Sequence, residues 1–476
     1  MVKLLEYIYN NIPVSLQNLA ISIYGMHWFR RRYRGVFNKE LGKCLQRNNY
    51  TESQWIQFQN ENLQKILVHS FDQVPYYQEV FNKKGLTREY LSRITLPQLN
   101  ELPLLEKETF RRLGTSELLS RRREPQGLYY PSSGSTGTPT QNLYSLRMHQ
   151  TYYAIFEARV LYWAGLDYKV PRGVIGGRRI IRDGDANSPY YRYNIVEKQT
   201  YLSAYHLSPK TAENYVEGIK KHKVKYLTGY ASANYFLARF IEEAGIEPPE
   251  LKAVLTSADK LTTEMRDTFR RVYGCEAFDS YNGVEATCLV SECEHHRLHI
   301  VPDVGILEIL NEKSEPCKPG ETGEAVTTGL LNYDQPLIRY RMGDLLRLSK
   351  DQSCPCGRQM PVIDEIIGRI EDTVIGPDGR EMVRFHGIFY NIPSIVEGQI
   401  IQHTFTDFEV KLVVTKPMTE ETKSLICKRL KSQLGEIEIE VSTVDAIPRN
   451  ANGKFASVIS KVNRQNLFTP KQSLRS

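Results

Sequence analysis

The chain runs to 476 residues, too long for one compact core, and its 41% apolar and 25% charged residues are ordinary for a globular protein of two or more domains. A net charge of +7 over this length suits an anionic small molecule, a membrane surface or nucleic acid. No RNP-type motif and no zinc-finger spacing of the DNA-reading kind accompanies it, so nucleic acid is not an expected partner. The eight cysteines follow no recognisable secretory leader, which disfavours a disulfide framework and favours reduced thiols or a metal site.

Residues 7–29 carry no Asp, Glu, Lys or Arg, yet Asn10, Asn11, Pro13, Gln17, Asn18, Ser22 and His27 make the stretch too polar to span a membrane. Arg30, Arg31, Arg32 and Arg34 follow. The first reading is a helix packed on the domain with an exposed basic end. The second is a helix resting on an anionic membrane surface, a peripheral contact through residues 7–34. Residues from about 50 to 125 read as helices; 52–69 places Trp55, Phe58, Leu63, Ile66 and Leu67 near helical spacing.

Between 129 and 309 the texture changes. Short apolar runs at 173–176, 224–227, 253–256 and 305–309 alternate with helical patterns at 211–222, 233–244 and 263–273. Strands alternating with helices predict α/β units and largely parallel sheet. Beyond 368 the pattern is that of a small α+β domain, with helical stretches expected at 388–398 and 420–435. The expected fold class is therefore α/β: a large N-terminal domain of mixed, largely parallel sheets and packed helices, and a small, mobile α+β C-terminal domain. Its parts are a helical region 1–125, a core 126–368 and a C-terminal domain 369–476.

The strongest local signal is Tyr129-Tyr130-Pro131-Ser132-Ser133-Gly134-Ser135-Thr136-Gly137-Thr138-Pro139-Thr140. Glycines let backbone approach a ligand, and hydroxyls with exposed amides make an anion cradle. It lies between well-patterned apolar segments and contains proline, unlike a flexible linker. No Gly-Lys-Ser/Thr follows, so it is not the common nucleotide-binding P-loop.

This loop resembles the phosphate loop of the adenylate-forming superfamily, the acyl- and aryl-CoA ligases, luciferases and adenylation domains. Further motifs follow in the superfamily's order. Ser257-Ala258-Asp259 resembles the turn that packs against adenine. Tyr281-Asn282-Gly283-Val284-Glu285 resembles the segment whose aromatic ring stacks on adenine and whose Glu approaches magnesium. Tyr340-Arg341-Met342-Gly343-Asp344 resembles the motif whose Asp holds the ribose hydroxyls. Gly368-Arg369-Ile370-Glu371-Asp372 resembles the hinge, with Glu371 and Asp372 at its pivot, and Pro448 to Lys454 resembles the segment presenting the catalytic lysine. Val74-Pro75-Tyr76-Tyr77, Leu102 to Lys107, Cys354-Pro355-Cys356 and Gln399-Ile400-Ile401-Gln402 are similar to the phenylacetate–CoA ligase family, in particular its capsular-polysaccharide-biosynthesis branch.

The resemblance implies ATP, Mg2+ and a carboxylic acid as reactants, with coenzyme A as acceptor; in the polysaccharide branch a carrier protein or a sugar hydroxyl or amine is the alternative. It casts Lys454, Glu285 and Arg369 as catalytic, and it places ATP against Ser132, Ser133, Gly134, Ser135, Thr136, Gly137, Thr138, Ser257, Ala258, Asp259, Tyr281, Asn282 and Asp344. Tyr230 and Ala231, with the stretch 201–206, are expected to line the acyl pocket. Three departures stand out: Ala258-Asp259 where Gly-Glu is usual, Asn282 for glycine, and Glu371 for aspartate. The chemistry agrees with these roles, because attack of a carboxylate on the α-phosphate builds negative charge that fixed donors, a metal ion and a lysine stabilise.

A second constellation joins Cys293, His295, His296 and His299 to Cys354 and Cys356. Thiolate and imidazole suit tetrahedral zinc. The resemblance selects Cys293, His299, Cys354 and Cys356 as a structural Zn2+ site; plain reduced thiols are the alternative. The expected protein is a cytoplasmic acid–thiol ligase of the acyl-CoA ligase kind, in place at the inner face of the membrane if residues 7–34 touch lipid. Its rival is an inactive fold of the same family serving as a scaffold in polysaccharide assembly.

Overall fold

The computed structural model describes residues 9, 11–132, 139–178, 180, 189–204, 206–369, 374–377, 381–382, 386–389, 392, 394–448 and 456–462. The chain divides into two compact units, Met1–Ile366 and Ile367–Ser476.

The first unit opens with helices α1 (Val14–Tyr33), α2 (Phe37–Gln46), α3 (Glu52–Gln73), α4 (Pro75–Lys83), α5 (Arg88–Leu91) and α6 (Lys107–Leu113). A capping box starts α3: the Thr51 hydroxyl accepts the Gln54 amide at 3.3 Å and the Gln54 side chain accepts the Thr51 amide at 2.9 Å. The helix continues past 69 to Gln73, and Val74-Pro75 ends it because proline donates no amide and restricts the residue before it. Leu63, Ile66 and Leu67 of α3 pack with Tyr77, Phe81 and Phe110 against Ile338 and Tyr340.

A short antiparallel hairpin, β1 (Leu128–Pro131) and β2 (Gln141–Tyr144), carries the glycine-rich loop. After α7 (Leu146–Phe156) come β3 (Arg172–Gly176), β4 (Tyr191–Asn194), β5 (Gln199–Ser203), α8 (Ala212–Lys221), β6 (Tyr226–Tyr230), α9 (Ala231–Glu243), β7 (Ala253–Ser257), α10 (Thr263–Tyr273) and β8 (Glu276–Asn282). Then follow β9 (Leu289–Glu292), β10 (Leu298–Ile300), β11 (Gly305–Leu310), β12 (Thr322–Gly329), β13 (Tyr340–Leu348) and β14 (Val362–Arg369). Among the described residues these form a 12-stranded sheet ordered β11-β12-β13-β14-β10-β9-β8-β7-β6-β3-β5-β4.

Parallel pairing is narrower than the texture predicts. It joins β5, β3, β6, β7 and β8, where helical crossovers return the chain in the same direction, while β4 and β9 flank them antiparallel. The run predicted at 224–227 becomes a strand only from Tyr226. Lys223 ends α8 at φ 52, and the Val224 amide bonds back to the Ile219 carbonyl at 3.0 Å, so Val224 caps the helix instead of extending the strand.

Helix α1 packs by an unexpected face. Asn18 and Ser22 accept the backbone amides of Tyr193 and Ile195 at 2.9 and 3.2 Å, the Arg192 guanidinium bonds Gln17, and Gly25 lies against the Asn194 side chain. The polar and small residues face the protein, so Leu16, Leu19, Ile23, Tyr24 and Met26 are exposed. Nor are the arginines simply a basic end. Buried Arg31 donates to Nδ1 of His149 at 3.1 Å and to the carbonyls of Gln126 and Tyr144 at 2.9 Å, anchoring α1 to both ends of the β1–β2 hairpin.

In the second unit, the four strands β17 (Ile395–Gln402), β18 (Asp407–Val414), β19 (Glu438–Thr443) and β20 (Val458–Ser460) form a sheet ordered β19-β18-β17-β20. A hairpin of β15 (Val374–Ile375) and β16 (Glu381–Met382) and helices α11 (His386–Phe389) and α12 (Glu420–Leu434) complete the described parts. Ile426, Leu430 and Leu434 of α12 close over Ile400, Phe408, Val410 and Leu412. The helix expected at 388–398 is instead a single turn followed by the start of β17. Ile388, Ile392 and Ile395 mimic helical spacing, but Pro393 interrupts it and Ile395-Val396 favours strand.

Candidate functional site

The C-terminal ends of β6, β7 and β8 collect the motif residues of the first unit. Two hydrogen bonds close the base of the glycine-rich loop: the Ser132 amide donates to the Thr140 carbonyl and the Thr140 amide to the Ser132 hydroxyl, both at 2.9 Å. Residues 133–138, carrying Ser133, Gly134, Ser135, Thr136, Gly137 and Thr138, lie outside the described residues. Gln335 holds the hairpin from beneath, accepting the Leu143 amide at 2.8 Å and donating to the Gly114 and Gln141 carbonyls at 2.6 and 2.9 Å. The sequence offers no local signal for this role, since the partners lie about two hundred residues away in the chain.

Strand pairing sets Tyr230 beside Ser257, and Ser257 beside Ser280. Ala258 then adopts φ +74, a left-handed conformation that glycine takes at little expense and that strains a residue with a Cβ. The turn delivers Asp259 back to α9, where its two carboxylate oxygens accept the Ala231 and Ser232 amides at 2.6 and 2.9 Å. An aspartate on the first free amides of a helix caps it and meets the positive end of its dipole. The Ala231 amide is therefore committed to a cap. Gly229 precedes it at φ +130 with the Ile175 carbonyl only 1.9 Å from where a Cβ would stand, so no other residue fits there.

At the end of β8 the Tyr281 hydroxyl donates to Oδ2 of Asp344 on β13 at 2.7 Å, and Asn282 closes the strand. Burial and the neighbouring carboxylate hold the Tyr281 phenol well above its ordinary range, so it stays a donor. Glu285 follows on the loop. The Tyr340 hydroxyl lies 3.4 Å from its Oε1, and its carboxylate lies over Gly283, 2.4 Å from where a Cβ would stand. Burial chiefly, and Asp344 besides, raise the Glu285 pKa, while Lys107 at the start of α6 acts the other way. Lys107 comes here because Leu105 bonds both neighbours of Tyr340: its amide donates to the Arg339 carbonyl at 2.9 Å and its carbonyl accepts the Arg341 amide at 3.1 Å. Tyr144, at the end of β2, ties the loop hairpin to this segment by donating to the Val284 carbonyl at 2.7 Å.

Arg369 ends β14; Glu371, Asp372 and Lys454 lie outside the described residues.

The thiols of Cys293, Cys354 and Cys356 and the imidazole of His299 converge, their ligand atoms all within 4.8 Å of one another. Cys293 and Cys354 sulfurs are 3.6 Å apart, and Cys356 sulfur is 3.4 Å from Nε2 of His299. A tetrahedral ion with metal–sulfur bonds of ~2.3 Å separates its sulfur ligands by about 3.8 Å, so the donor set fits zinc. Nδ1 of His299 donates to the Met360 carbonyl at 3.2 Å, which fixes the tautomer that leaves Nε2 for an ion. His296 stands apart, held between Glu292 and Glu276 at 3.2 and 3.3 Å.

The fold is that of the adenylate-forming CoA ligases: a crystal structure of 2-hydroxyisobutyryl-CoA ligase in the postadenylation state, in complex with 2-HIB-AMP, superposes with a TM-score of 0.69 at 16% identity, covering 88% of this chain and 92% of that one. Residues 374–461 match the family model described as the CapK C-terminal domain. The chain is homologous to the protein CapK of Staphylococcus aureus, 25% identical over 96% of this chain and all of that one. It is also homologous to phenylacetate-coenzyme A ligase of Thermus thermophilus, 23% identical over 84% of this chain and 95% of the relative.

Proposed function

We propose that the protein is an adenylate-forming acid–CoA ligase, which joins a carboxylic acid to the α-phosphate of ATP, releases pyrophosphate and then transfers the acyl group to the thiol of coenzyme A. The observation that carries this reading is the meeting of Tyr281 at the end of β8, Asp344 in the middle of β13 and Glu285 on the loop after β8, beside the turn of Ser257 and Ala258 and the loop closed by Ser132. An adenosine seated on the Tyr281 ring would present its ribose hydroxyls to Asp344. A Mg2+ ion beside Glu285 would neutralise the triphosphate, and hard carboxylate oxygens are the ligands that ion prefers. Burial raises the Glu285 pKa, so a nearby cation would return it to the carboxylate form. Lys454 is the candidate for the charge on the transferring phosphoryl group, with Arg369 as a further catalytic candidate and Glu371 and Asp372 as the hinge. The CapK relative and the match over 374–461 support a role in surface polysaccharide biosynthesis, where a carrier protein or a sugar would replace coenzyme A as acceptor. The Cys293, His299, Cys354 and Cys356 site would hold a structural zinc.

The outward apolar face of α1 supports a peripheral position on the inner face of the membrane. Leu16, Leu19, Ile23 and Met26 recur at spacings of three and four residues on one stripe that continues into exposed Arg30, and Arg34, also exposed, follows just past the helix end. Apolar residues beside arginines and no acidic residue suit an anionic lipid surface. No described helix is long and apolar enough to cross a membrane.

The test is ATP–pyrophosphate exchange with Mg2+ and a panel of aryl, fatty, hydroxy and amino acids. Exchange that depends on one acid and disappears in Lys454→Ala is the expected result. Exchange undiminished in Lys454→Ala would remove the assignment of that residue, and no exchange with any acid in protein that binds ATP would favour the scaffold.

A further inference from the structure

A cavity of about 380 Å3 lies under the parallel part of the first unit's sheet. Its floor is one face of the strands: Val174 and Gly176 of β3, Tyr201 of β5, Tyr226 and Thr228 of β6, Leu255 of β7. Side chains two residues apart share a face. The same face therefore continues from Thr228 to Tyr230 and from Leu255 to Ser257, the turns that bound the candidate nucleotide site. The roof comes from α7 and α1. Neither Tyr230 nor Ala231 is among the walls, whereas Tyr201 of the expected stretch is.

The walls are cationic. Arg32, Arg172 and Arg178 all line the cavity. Arg32 stacks between Trp28 and Tyr153, 5.2 and 5.0 Å from the ring centres, and its Nε has no hydrogen-bond partner among the described residues. Arg178 lies 4.5 Å over the Tyr201 ring. The carboxylate of Glu197 serves two of the three, at 2.8 Å from Arg32 and 3.4 Å from Arg172. The acid in the lining itself is Glu157, which spends Oε1 on the Tyr168 amide at 2.9 Å and leaves Oε2 without a partner. It begins a π-helical stretch, Glu157–Leu161, that interrupts the end of α7, a distortion frequent at functional sites. Burial pushes its carboxyl up to about 7, so near neutral pH it carries only part of a negative charge. Among the described residues, three guanidiniums thus meet two carboxyl groups, Glu197 and Glu157. Guanidiniums in excess over carboxylates, two of them in the interior and Arg178 at the exposed rim, call for an anion, and guanidinium is the group that recognises carboxylate or phosphate in two-pronged fashion.

We propose that this cavity receives the far end of the acid substrate and that the substrate carries a second anionic group there, held by Arg32, Arg172 and Arg178. The inference rests on the adenylation reading for the position of the reacting carboxylate, near Tyr230 and Ser257. Four residue steps lead from Tyr226 to Tyr230, ~13 Å at ~3.3 Å per residue, so an extended diacid with its groups about 10 Å apart covers most of that distance. A plain aryl or fatty acid would leave the arginines unanswered.

The experiment compares matched pairs in ATP–pyrophosphate exchange: suberate against octanoate, and 4-carboxyphenylacetate against phenylacetate. A diacid is expected to exceed its monoacid at least tenfold in kcat/KM. Arg178→Gln, at an exposed residue, is expected to abolish that preference while leaving exchange with the monoacid intact; Arg32→Gln should do the same if its melting temperature matches wild type. Monoacids equal to or better than diacids in the wild-type protein would overturn the proposal and leave adenylation standing. If no acid supports exchange, adenylation itself is in doubt, and calorimetric binding of the diacids decides. Suberate binding that Arg178→Gln weakens tenfold sustains the cavity's assignment, and its absence ends it.

Discussion

The Tyr281 hydroxyl donates to Asp344 at 2.7 Å, and through this bond the strand that ends beside the Ser257–Ala258 turn is fastened to the strand that carries the carboxylate proposed to hold ribose. The bond orients a carboxylate that must otherwise choose among rotamers, and burial keeps the phenol protonated throughout the working pH range. Hydrogen bonds to charged groups contribute about 1.5–3 kcal/mol, or roughly 10- to 100-fold in affinity. Asp344→Asn is therefore expected to raise the KM for ATP by that factor in pyrophosphate exchange. Tyr281→Phe, which keeps the ring and loses one donor, is expected to cost about fivefold. Equal KM values for Asp344→Asn and wild type would show that ATP does not reach Asp344.

Glu157 gives the stability of the first unit a pH dependence of definite sign. Its carboxyl is pushed up to about 7, chiefly by burial, against an ordinary value near 4.5. A raised acid favours the folded state fully below the ordinary value and loses that contribution as pH rises through about 7. Glu157→Gln keeps an acceptor for the Tyr168 amide and never ionises. Urea unfolding should show the variant more stable than wild type at pH 8 by up to about 3 kcal/mol, at ~1.4 kcal/mol per pKa unit, and indistinguishable at pH 4. A difference that does not change between those pH values would mean that Glu157 is not the group that titrates.

The ligand set of Cys293, His299, Cys354 and Cys356 predicts about one zinc per chain by elemental analysis of protein purified without added metal. A closed four-ligand site stabilises and performs no chemistry. Cys356→Ser is therefore expected to lower the melting temperature by several degrees and the zinc content to near zero, with kcat changed less than threefold at a temperature where the variant is folded. Full zinc content in Cys356→Ser would exclude that thiol as a ligand.

Much of this architecture was legible because local rules and tertiary packing agree. The Thr263–Tyr273 helix has its bounds where the periodicity puts them, and the Cys and His residues that the resemblance selects do converge. The illegible parts are those settled by distant partners. Nothing near Val224 tells that it caps α8, and nothing near Ala258 shows that its backbone must turn left-handed. The arginine cavity was invisible because Arg32, Arg172 and Glu157 lie far apart in the chain and meet only when α1 and α7 pack on the sheet. Helix α1 misled for a further reason: apolar residues are normally assigned to the core side, whereas here Asn18 and Ser22, accepting backbone amides of Tyr193 in β4 and of Ile195 just past it, hold the polar face inward.

That inversion yields the last prediction. With Leu16, Leu19, Ile23 and Met26 outward, Arg30 on the same stripe and exposed Arg34 just past the helix end, α1 should bind vesicles containing phosphatidylglycerol and not vesicles of phosphatidylcholine alone, with weaker binding at high salt. Burying one aliphatic side chain contributes ~1.5–3 kcal/mol, so Ile23→Glu is expected to reduce sedimentation with anionic vesicles by at least tenfold. Each arginine near an anionic surface contributes ~1 kcal/mol, so Arg30→Gln should reduce it about fivefold. Both positions are exposed, and neither substitution should alter pyrophosphate exchange in solution. Vesicle binding that is the same in Ile23→Glu and wild type would show that the stripe meets something other than lipid, and concentration-dependent dimerisation lost in the same variant would identify a second copy of the chain as its partner.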